Sequence, residues 1–337
     1  MELMKRLLVI ILFAVLSVPV QAQNRAQWLQ DAKWGVMIHY QRDWLASENN
    51  LEPITMHKWN ELADAFDCEG LAQQLADVGA GYLIFTVHHA QAYFLAPNKA
   101  YDKYSGRKTS RCTRRDLIAD LSDALNKHGI KLIAYLPGHP PIFEKEDIEG
   151  FLLGRSDYYT AGPFVRNAET VLRWQEVIKE YSLRWGDKVS GWWIDACYRP
   201  NTTFRNPDAP NFESMAAACR AGNPEAIVCF NPGRFPRIMS ITPYEDYTAG
   251  EINHLERIMY KYHHEGMIDG KQIHILSFLG KFWGQGKPRF SDEEVVKYSA
   301  DVNEVRGAIT WDCPVYPSGL IKESFMKQLA LVGKALK

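Results

Sequence analysis

The sequence predicts a single (β/α)8 barrel. Short apolar runs alternate with amphipathic helical patterns along the chain, which is typical of parallel βαβ units. The apolar runs lack a strict two-residue alternation, and this favours strands that are buried on both faces of a sheet. There are eight such runs, the number that closes a barrel, and 337 residues is a typical length for one. The predicted strands are Gly35–Tyr40, Gly81–Val87, Lys131–Pro137, Gly191–Ala196, Ala226–Pro232, Tyr244–Thr248, Ile273–Leu279 and Gly307–Pro314.

Helical patterns fill the gaps between these strands. The segment Cys112–Gly129 has apolar residues at helical spacing and ends at a glycine, which is a common helix stop. Ala168–Gly186 carries a second apolar stripe. A capping box at residues 291–294 opens a helix that runs to about Arg306. Apolar residues between Phe325 and Val332 predict a last helix.

An open, doubly wound sheet is the alternative arrangement of the same elements. Such a sheet usually carries a glycine-rich loop directly after its first strand. No such loop follows Gly35–Tyr40. A closed barrel is therefore favoured, with residues 23–337 as one catalytic domain.

The first 22 residues have the pattern of a secretory signal peptide. Basic residues precede an apolar run over Leu7–Val20, and residues 20–22 form a small-x-small cleavage pattern. A membrane anchor is the alternative, but the run is short and Pro19 interrupts it. We therefore expect a secreted or periplasmic chain that begins near Gln23 and is not embedded in a membrane.

Charge and cysteine spacing argue against several other classes of protein. The net charge is −1 with acids and bases interspersed, whereas a nucleic-acid-binding protein would need a basic stripe. None of the six cysteines stands in a CxxC or zinc-type spacing, so no structural metal is expected. An exported protein can form disulfides, but the sequence gives no connectivity, and buried free thiols are equally compatible with it.

Polar and aromatic residues collect at the carboxyl ends of the predicted strands, where a barrel of this class carries its chemistry. Asp195 follows three large apolar residues on the fourth strand. An acid there is costly to bury unless it is paired or functional. The sixth strand runs into Glu245, Asp246 and Glu251, which are three candidates for a second carboxyl group. Other polar or aromatic residues at strand ends are His39, Tyr40, His88, His89 and Trp283.

Three kinds of site are compatible with these strand ends. A metal hydrolase would need clustered ligands, typically His-x-His on the first strand, where only His39 is present. A catalytically silent sugar-binding protein needs the pocket but no pair of carboxylates. A glycosidase needs two carboxyl groups across the scissile bond, and Asp195 with an acid from Tyr244–Glu251 supplies that pair. A glycosidase is therefore favoured, and it implies no metal or organic cofactor.

Seven segments around these strand ends form recognisable motifs: Trp28 with Ala32–His39, Gly79–His89, Arg115–Leu117, Trp192–Asp195, Asp246–Glu251, Phe282–Gly284 and Gly307–Gly319. Together they resemble the catalytic domain of the α-L-fucosidases of glycoside hydrolase family 29. Members of that family usually add a C-terminal β-sandwich, which we do not expect here because the chain ends just after the last predicted helix. The sequence departs from the family pattern at Tyr40-Gln41, Ala90-Gln91 and Ala196-Cys197.

The resemblance implies a retaining exo-glycosidase that releases terminal α-L-fucose from glycans through a covalent glycosyl-enzyme intermediate. The departures leave a related sugar open, such as L-galactose or a methylated fucose. Asp195 would be the nucleophile and Glu251 the acid/base, while histidines bond to sugar hydroxyls and aromatic residues pack against the ring. The predicted sugar contacts are His39, Tyr40, Trp59, His88, His89 and Trp283.

Overall fold

The structure, a computed structural model, describes residues 24–89, 91–153, 168–198, 206–234, 237–255 and 265–337. The predicted signal peptide, residues 1–22, lies outside these ranges, and export therefore stays a prediction. No helix in the described ranges has both the length and the apolar character needed to span a membrane.

Seven parallel strands form one curved sheet, and a short antiparallel hairpin is separate from it. The strands are β1 Trp34–Ile38, β2 Tyr82–Thr86, β3 Lys131–Pro137, β4 Gly191–Asp195, β5 Ile227–Phe230, β6 Met267–Ile268, β7 Lys271–Gln272, β8 His274–Phe278 and β9 Ala308–Asp312. The order in the sheet is β5-β4-β3-β2-β1-β9-β8. Seven of the eight predicted strands are confirmed, each with bounds that differ by no more than a few residues, whereas the hairpin β6–β7 was not predicted.

The sixth predicted strand, Tyr244–Thr248, is not a regular strand, and that prediction is wrong. Its backbone nevertheless bridges the two free edges of the sheet. Asp246 N donates to Val228 O of β5 at 2.9 Å, and farther along Leu276 N of β8 donates to Gly250 O at 3.0 Å. Gly250 has a φ of +65°, which turns the chain out of an extended path. The sheet thus closes into the predicted (β/α)8 barrel through an irregular sixth segment.

Helices surround the sheet, and the four predicted helical patterns are confirmed. The first of them begins later than its apolar pattern suggests, because Asp116 is the N-cap and accepts a hydrogen bond from Ala119 N. Ser291 forms the predicted capping box. The bounds are α1 Gln27–Ala32, α2 Arg42–Glu48, α3 Met56–Asp64, α4 Cys68–Val78, α5 Lys99–Ser105, α6 Leu117–Asn126, α7 Lys145–Gly150, α8 Ala168–Trp185, α9 Phe212–Cys219, α10 Asp292–Glu304 and α11 Glu323–Leu336.

Two apolar layers hold the barrel together. One lies between the strands and the helices, and the other fills the inside of the barrel. Tyr135 and Trp193 belong to the inner layer, with nearly parallel rings whose centroids are 5.3 Å apart. All six cysteines are buried free thiols. The inner aromatic rings form a rigid base directly beneath the carboxyl ends of the strands.

Candidate active site

A pocket of about 310 Å³ opens at the carboxyl ends of the barrel strands. Acidic, imidazole and aromatic side chains line it together, so polar groups and apolar ring faces border one small space. Barrels of this class carry their chemistry at this end. The lining residues include His39, Trp44, His89, Tyr135, Asp195, Tyr198, Glu251, Asn253, Phe282 and Trp283.

Asp195 ends β4 with a donor on each carboxylate oxygen. Asn231 Nδ2 donates to Oδ1 at 2.8 Å, and the Tyr135 hydroxyl donates to Oδ2. The backbone is fixed as well, because Gly138 N donates to Asp195 O at 2.7 Å. Burial, with the charge of Asp195 as a second cause, raises the pKa of Tyr135 well above its ordinary value. The phenol is therefore a neutral donor, and the carboxylate has one fixed orientation.

Glu251 lies in the irregular sixth segment and borders the same pocket. It pairs with Leu276 of β8 in an isolated parallel bridge, which fixes its backbone. Burial first, and then the negative charge of Asp195, raises the pKa of Glu251 to about 7. A carboxyl group whose pKa is raised this far can keep a proton near neutral pH and serve as a general acid.

Asn231 joins the two carboxyl groups. Its amide nitrogen donates to Asp195 Oδ1 at 2.8 Å and to Glu251 Oε2 at 2.6 Å. Its amide oxygen accepts from Gly233 N at 3.0 Å, which fixes the amide so that the nitrogen faces the acids. Because the two acceptor oxygens share one donor atom, they are separated by at most the combined length of the 2.8 Å and 2.6 Å bonds, 5.4 Å.

His39 stands beside the carboxyl pair in a fixed orientation. Its Nδ1 contacts Asp312 Oδ1 at 2.7 Å, and Asp312 is fully buried. Asp312 also accepts from Gly284 N, which places Trp283 against the His39 ring at a centroid distance of 5.6 Å. Because Nδ1 is held by Asp312, Nε2 is the ring nitrogen left to bind a sugar hydroxyl.

His89 lies beside His39, with ring centroids 6.3 Å apart. Its ring is stacked parallel to Tyr135, with centroids 5.9 Å apart, and Trp44 packs against it at 5.5 Å. Burial is the main cause that lowers the pKa of His89 to about 4. The ring is therefore neutral at pH 7 and can both donate and accept.

Three predicted sugar contacts do not lie at the pocket, and their assignment is corrected. Successive residues of an extended chain point to opposite faces, so Tyr40 and His88 point outwards where His39 and His89 point inwards. Tyr40 packs on Trp59 at 5.5 Å and donates to Pro317 O. His88 packs on Phe94 and Trp174 in the outer layer. Trp59 is buried there too, with its indole donating to Phe94 O at 3.1 Å.

Of the three acids in the sixth segment, Glu251 alone reaches the pocket. The Glu245 carboxylate instead accepts four hydrogen bonds that hold a loop together, and Asp246 accepts from Val228 N and pairs with Arg220. Both are structural. The four donors to Glu245 are Phe230 N at 3.1 Å, Ser240 Oγ at 2.6 Å, Ile241 N at 2.8 Å and Thr242 N at 2.9 Å.

Sequence reasoning missed several residues of the site. Asn231 directly follows β5, and its position at a strand end is the signal that could have identified it. Tyr135 lies within β3, two residues before its end, in the same alternating position as the other inward residues. Asp312 ends β9, at the same edge of the barrel as Asp195 on β4. No arrangement of three His, Cys, Asp or Glu side chains suited to a metal ion occurs among the described residues.

Comparison with known proteins agrees with this architecture. The sequence matches the family described as alpha-L-fucosidase over residues 17–196, which is more than half of the chain. A search of curated protein sequences gave no match. Solved structures resemble the fold at low sequence identity, and at such identities the likeness concerns the fold alone.

Three of these structures serve as examples. The endo-fucoidan hydrolase MfFcnA4 of glycoside hydrolase family 107 is 17% identical with a TM-score of 0.67, over 93% of this chain and 53% of its own. A second endo-fucoidan hydrolase of that family is 16% identical with a TM-score of 0.67, over 93% of both chains. The alpha-L-fucosidase AlfC from Lactobacillus casei, in complex with its α-L-fucose product, is 15% identical with a TM-score of 0.63, over 93% of this chain and 98% of its own.

The chain thus spans about half the length of MfFcnA4 and nearly the whole length of AlfC. The sequence match covers β1 to β4 and ends just after Asp195. The chain therefore belongs to the alpha-L-fucosidase family of glycoside hydrolases.

Proposed function

We propose that the protein is a retaining exo-glycosidase that hydrolyses terminal α-L-fucose, or a closely related sugar, from glycans. The observation that carries this proposal is the double hydrogen bond of Asn231, which keeps the nearest oxygens of Asp195 and Glu251 within 5.4 Å. Retaining glycosidases hold their carboxyl groups roughly 5–5.5 Å apart, whereas inverting enzymes leave about 6.5–9.5 Å for a water molecule.

Asp195 is the nucleophile in this proposal and Glu251 is the acid/base. Asp195 attacks the anomeric carbon, the bond to the leaving oxygen breaks, and Glu251 transfers its proton to that oxygen. Water then gives a proton to the Glu251 carboxylate and attacks the anomeric carbon, which releases Asp195. The raised pKa of Glu251 supports its part, because the first step needs a protonated acid.

The composition of the pocket supports a deoxy sugar as the bound ring. L-Fucose has an axial hydroxyl at C4 and a methyl group at C5, so its site needs polar groups on one side and apolar surface on the other. His39 and His89 offer the polar groups, and Trp283 offers an aromatic face. A volume of 310 Å³ is at the small end of ligand sites and suits one sugar ring at a chain end.

A panel of aryl glycosides tests the choice of sugar. We expect the purified mature protein to cleave the α-L-fucoside far faster than α-D-glucoside, α-D-mannoside or β-D-galactoside. A site built to bond a hydroxyl rejects an analogue that lacks it. Preference for a sugar without the C4 configuration of fucose would overturn the proposed substrate but would not affect the proposed roles of the two carboxyl groups.

The pH dependence of kcat/KM tests the acid. Because Glu251 has a pKa of about 7 and must be protonated, we expect kcat/KM to fall as the pH rises through about 7. The hydrogen bond from Asn231 lowers the pKa of Glu251, so the alkaline limb should move to higher pH in Asn231→Ala. An alkaline limb that stays in place in this variant would contradict the assignment of that limb to Glu251.

A further inference from the structure

The loop after β8 holds an aromatic side chain at the mouth of the pocket. Phe282 and Gln285 exchange backbone hydrogen bonds at 3.3 and 3.1 Å, which closes a tight turn. Gly286 N donates to Glu48 Oε2 at 2.8 Å and ties the turn to α2. Trp283 from this turn is buried, while Phe282 is 46% exposed.

The exposed ring of Phe282 has a fixed orientation. It packs edge to face on Trp44 at a centroid distance of 5.5 Å and on Phe278 at 5.9 Å. Aromatic faces that are rigid and open to solvent at the edge of a binding pocket offer apolar contact area at little entropic cost. Phe282 therefore has the properties of a platform for a group that extends out of the pocket.

Asn253 adds an unsatisfied polar atom to the same pocket. It lies two residues after Glu251 and lines the pocket. Its Oδ1 is buried and has no hydrogen-bond partner among the described residues. Buried acceptors are normally paired, so this oxygen is suited to accept a hydrogen bond from a bound hydroxyl group.

Both residues line the pocket that also holds Glu251. Glu251 pairs with Leu276 of β8, and β8 leads into the turn that holds Phe282. The leaving oxygen must lie next to Glu251 to receive its proton. We therefore expect the group attached to that oxygen to leave the pocket past Asn253 and Phe282.

We propose that Phe282 and Asn253 form a subsite for the leaving group and that this group is a second pyranose ring. A pyranose presents an apolar face of C–H groups and hydroxyl donors at once, which matches an aromatic platform beside a lone acceptor. The apolar face packs on Phe282, and one hydroxyl donates to Asn253 Oδ1. This inference rests on the proposed function and names the class of its leaving group.

Two substrates distinguish the contribution of this subsite to catalysis from that of the sugar pocket. α-L-Fucosyl fluoride has no ring on its leaving group, whereas an α-L-fucosyl disaccharide has one. We expect Phe282→Ala and Asn253→Ala each to lower the ratio of kcat/KM, disaccharide over fluoride, by about tenfold, the scale of one lost packing or hydrogen-bond contact. Phe282→Trp should restore the ratio, because an indole offers an equivalent platform.

Phe143→Ala is the matched control, because Phe143 is also a highly exposed phenylalanine, at 59%, and does not line the pocket. Its ratio should equal that of the wild type. An unchanged ratio in Phe282→Ala and Asn253→Ala, or a wild type that hydrolyses the fluoride but no fucosyl disaccharide, would overturn the subsite alone. A wild type that hydrolyses neither substrate would overturn the proposed function itself.

Discussion

Asp195→Ala is expected to abolish turnover while the barrel stays folded. The variant lacks the oxygen that forms the covalent intermediate, and the loss of a covalent nucleophile costs on the order of 10⁴-fold or more in kcat. The side chain lies at the end of β4 and its removal leaves the sheet pairing intact. Steady-state kinetics on the aryl α-L-fucoside give the loss, and thermal unfolding checks the fold.

Azide provides the internal control for this variant. A small anion fits the space left by the carboxylate and attacks the anomeric carbon directly, so it should restore part of the turnover and give a glycosyl azide of inverted configuration. Near-normal activity of Asp195→Ala without azide would remove this residue from the mechanism.

Glu251→Ala is expected to lose activity in a way that depends on the leaving group. General acid catalysis contributes about 10²–10⁴-fold, and a natural glycosidic oxygen needs that proton. An activated aryloxide needs little protonation, so the glycosylation rate on a nitrophenyl substrate should fall much less than on a disaccharide. Pre-steady-state rates on the two substrates measure the difference.

Glu245→Ala and Asp246→Ala are the matched controls, because these acids are neighbours in sequence that point away from the pocket. Glu245→Ala removes the acceptor of four hydrogen bonds, and each buried donor left unpaired costs about 1–3 kcal/mol. This variant should therefore lose stability instead of showing leaving-group dependence. If the loss of rate depended on the leaving group in either control but not in Glu251→Ala, the role of general acid would pass to the residue changed in that control.

The alternation of strands with helices predicts the barrel from sequence, but the direction of side chains at strand ends depends on where each strand stops. β1 ends at Ile38, so whether His39 or Tyr40 faces the pocket is decided by the first extended residues beyond the strand. The same holds for His88 and His89 after β2. A shift of the strand end by one residue reverses which of the two side chains faces the pocket. A sequence pattern does not locate the ends of strands to within one residue.

The carboxyl pair could be predicted only in part. Asp195 is identified by an acid after a buried strand, whereas Glu251 is one of three acids within seven residues. Glu251 reaches the pocket because of the turn at Gly250 and the pairing with β8, and both features depend on the closed barrel. Asn231 has no chemical signature in sequence, since its function arises only where β4, β5 and the sixth segment meet.

Trapping of the glycosyl-enzyme intermediate shows which residue is the nucleophile. A 2-deoxy-2-fluoro-α-L-fucosyl fluoride slows both chemical steps, but its good leaving group keeps the first step faster than the second, so a glycosyl-enzyme accumulates. Mass spectrometry of the intact protein and of its peptides then locates the sugar. We predict one fluorofucosyl group per chain, bound to Asp195. A sugar bound to another residue, or turnover of the probe with direct release of the inverted sugar and no adduct, would contradict a covalent mechanism at Asp195.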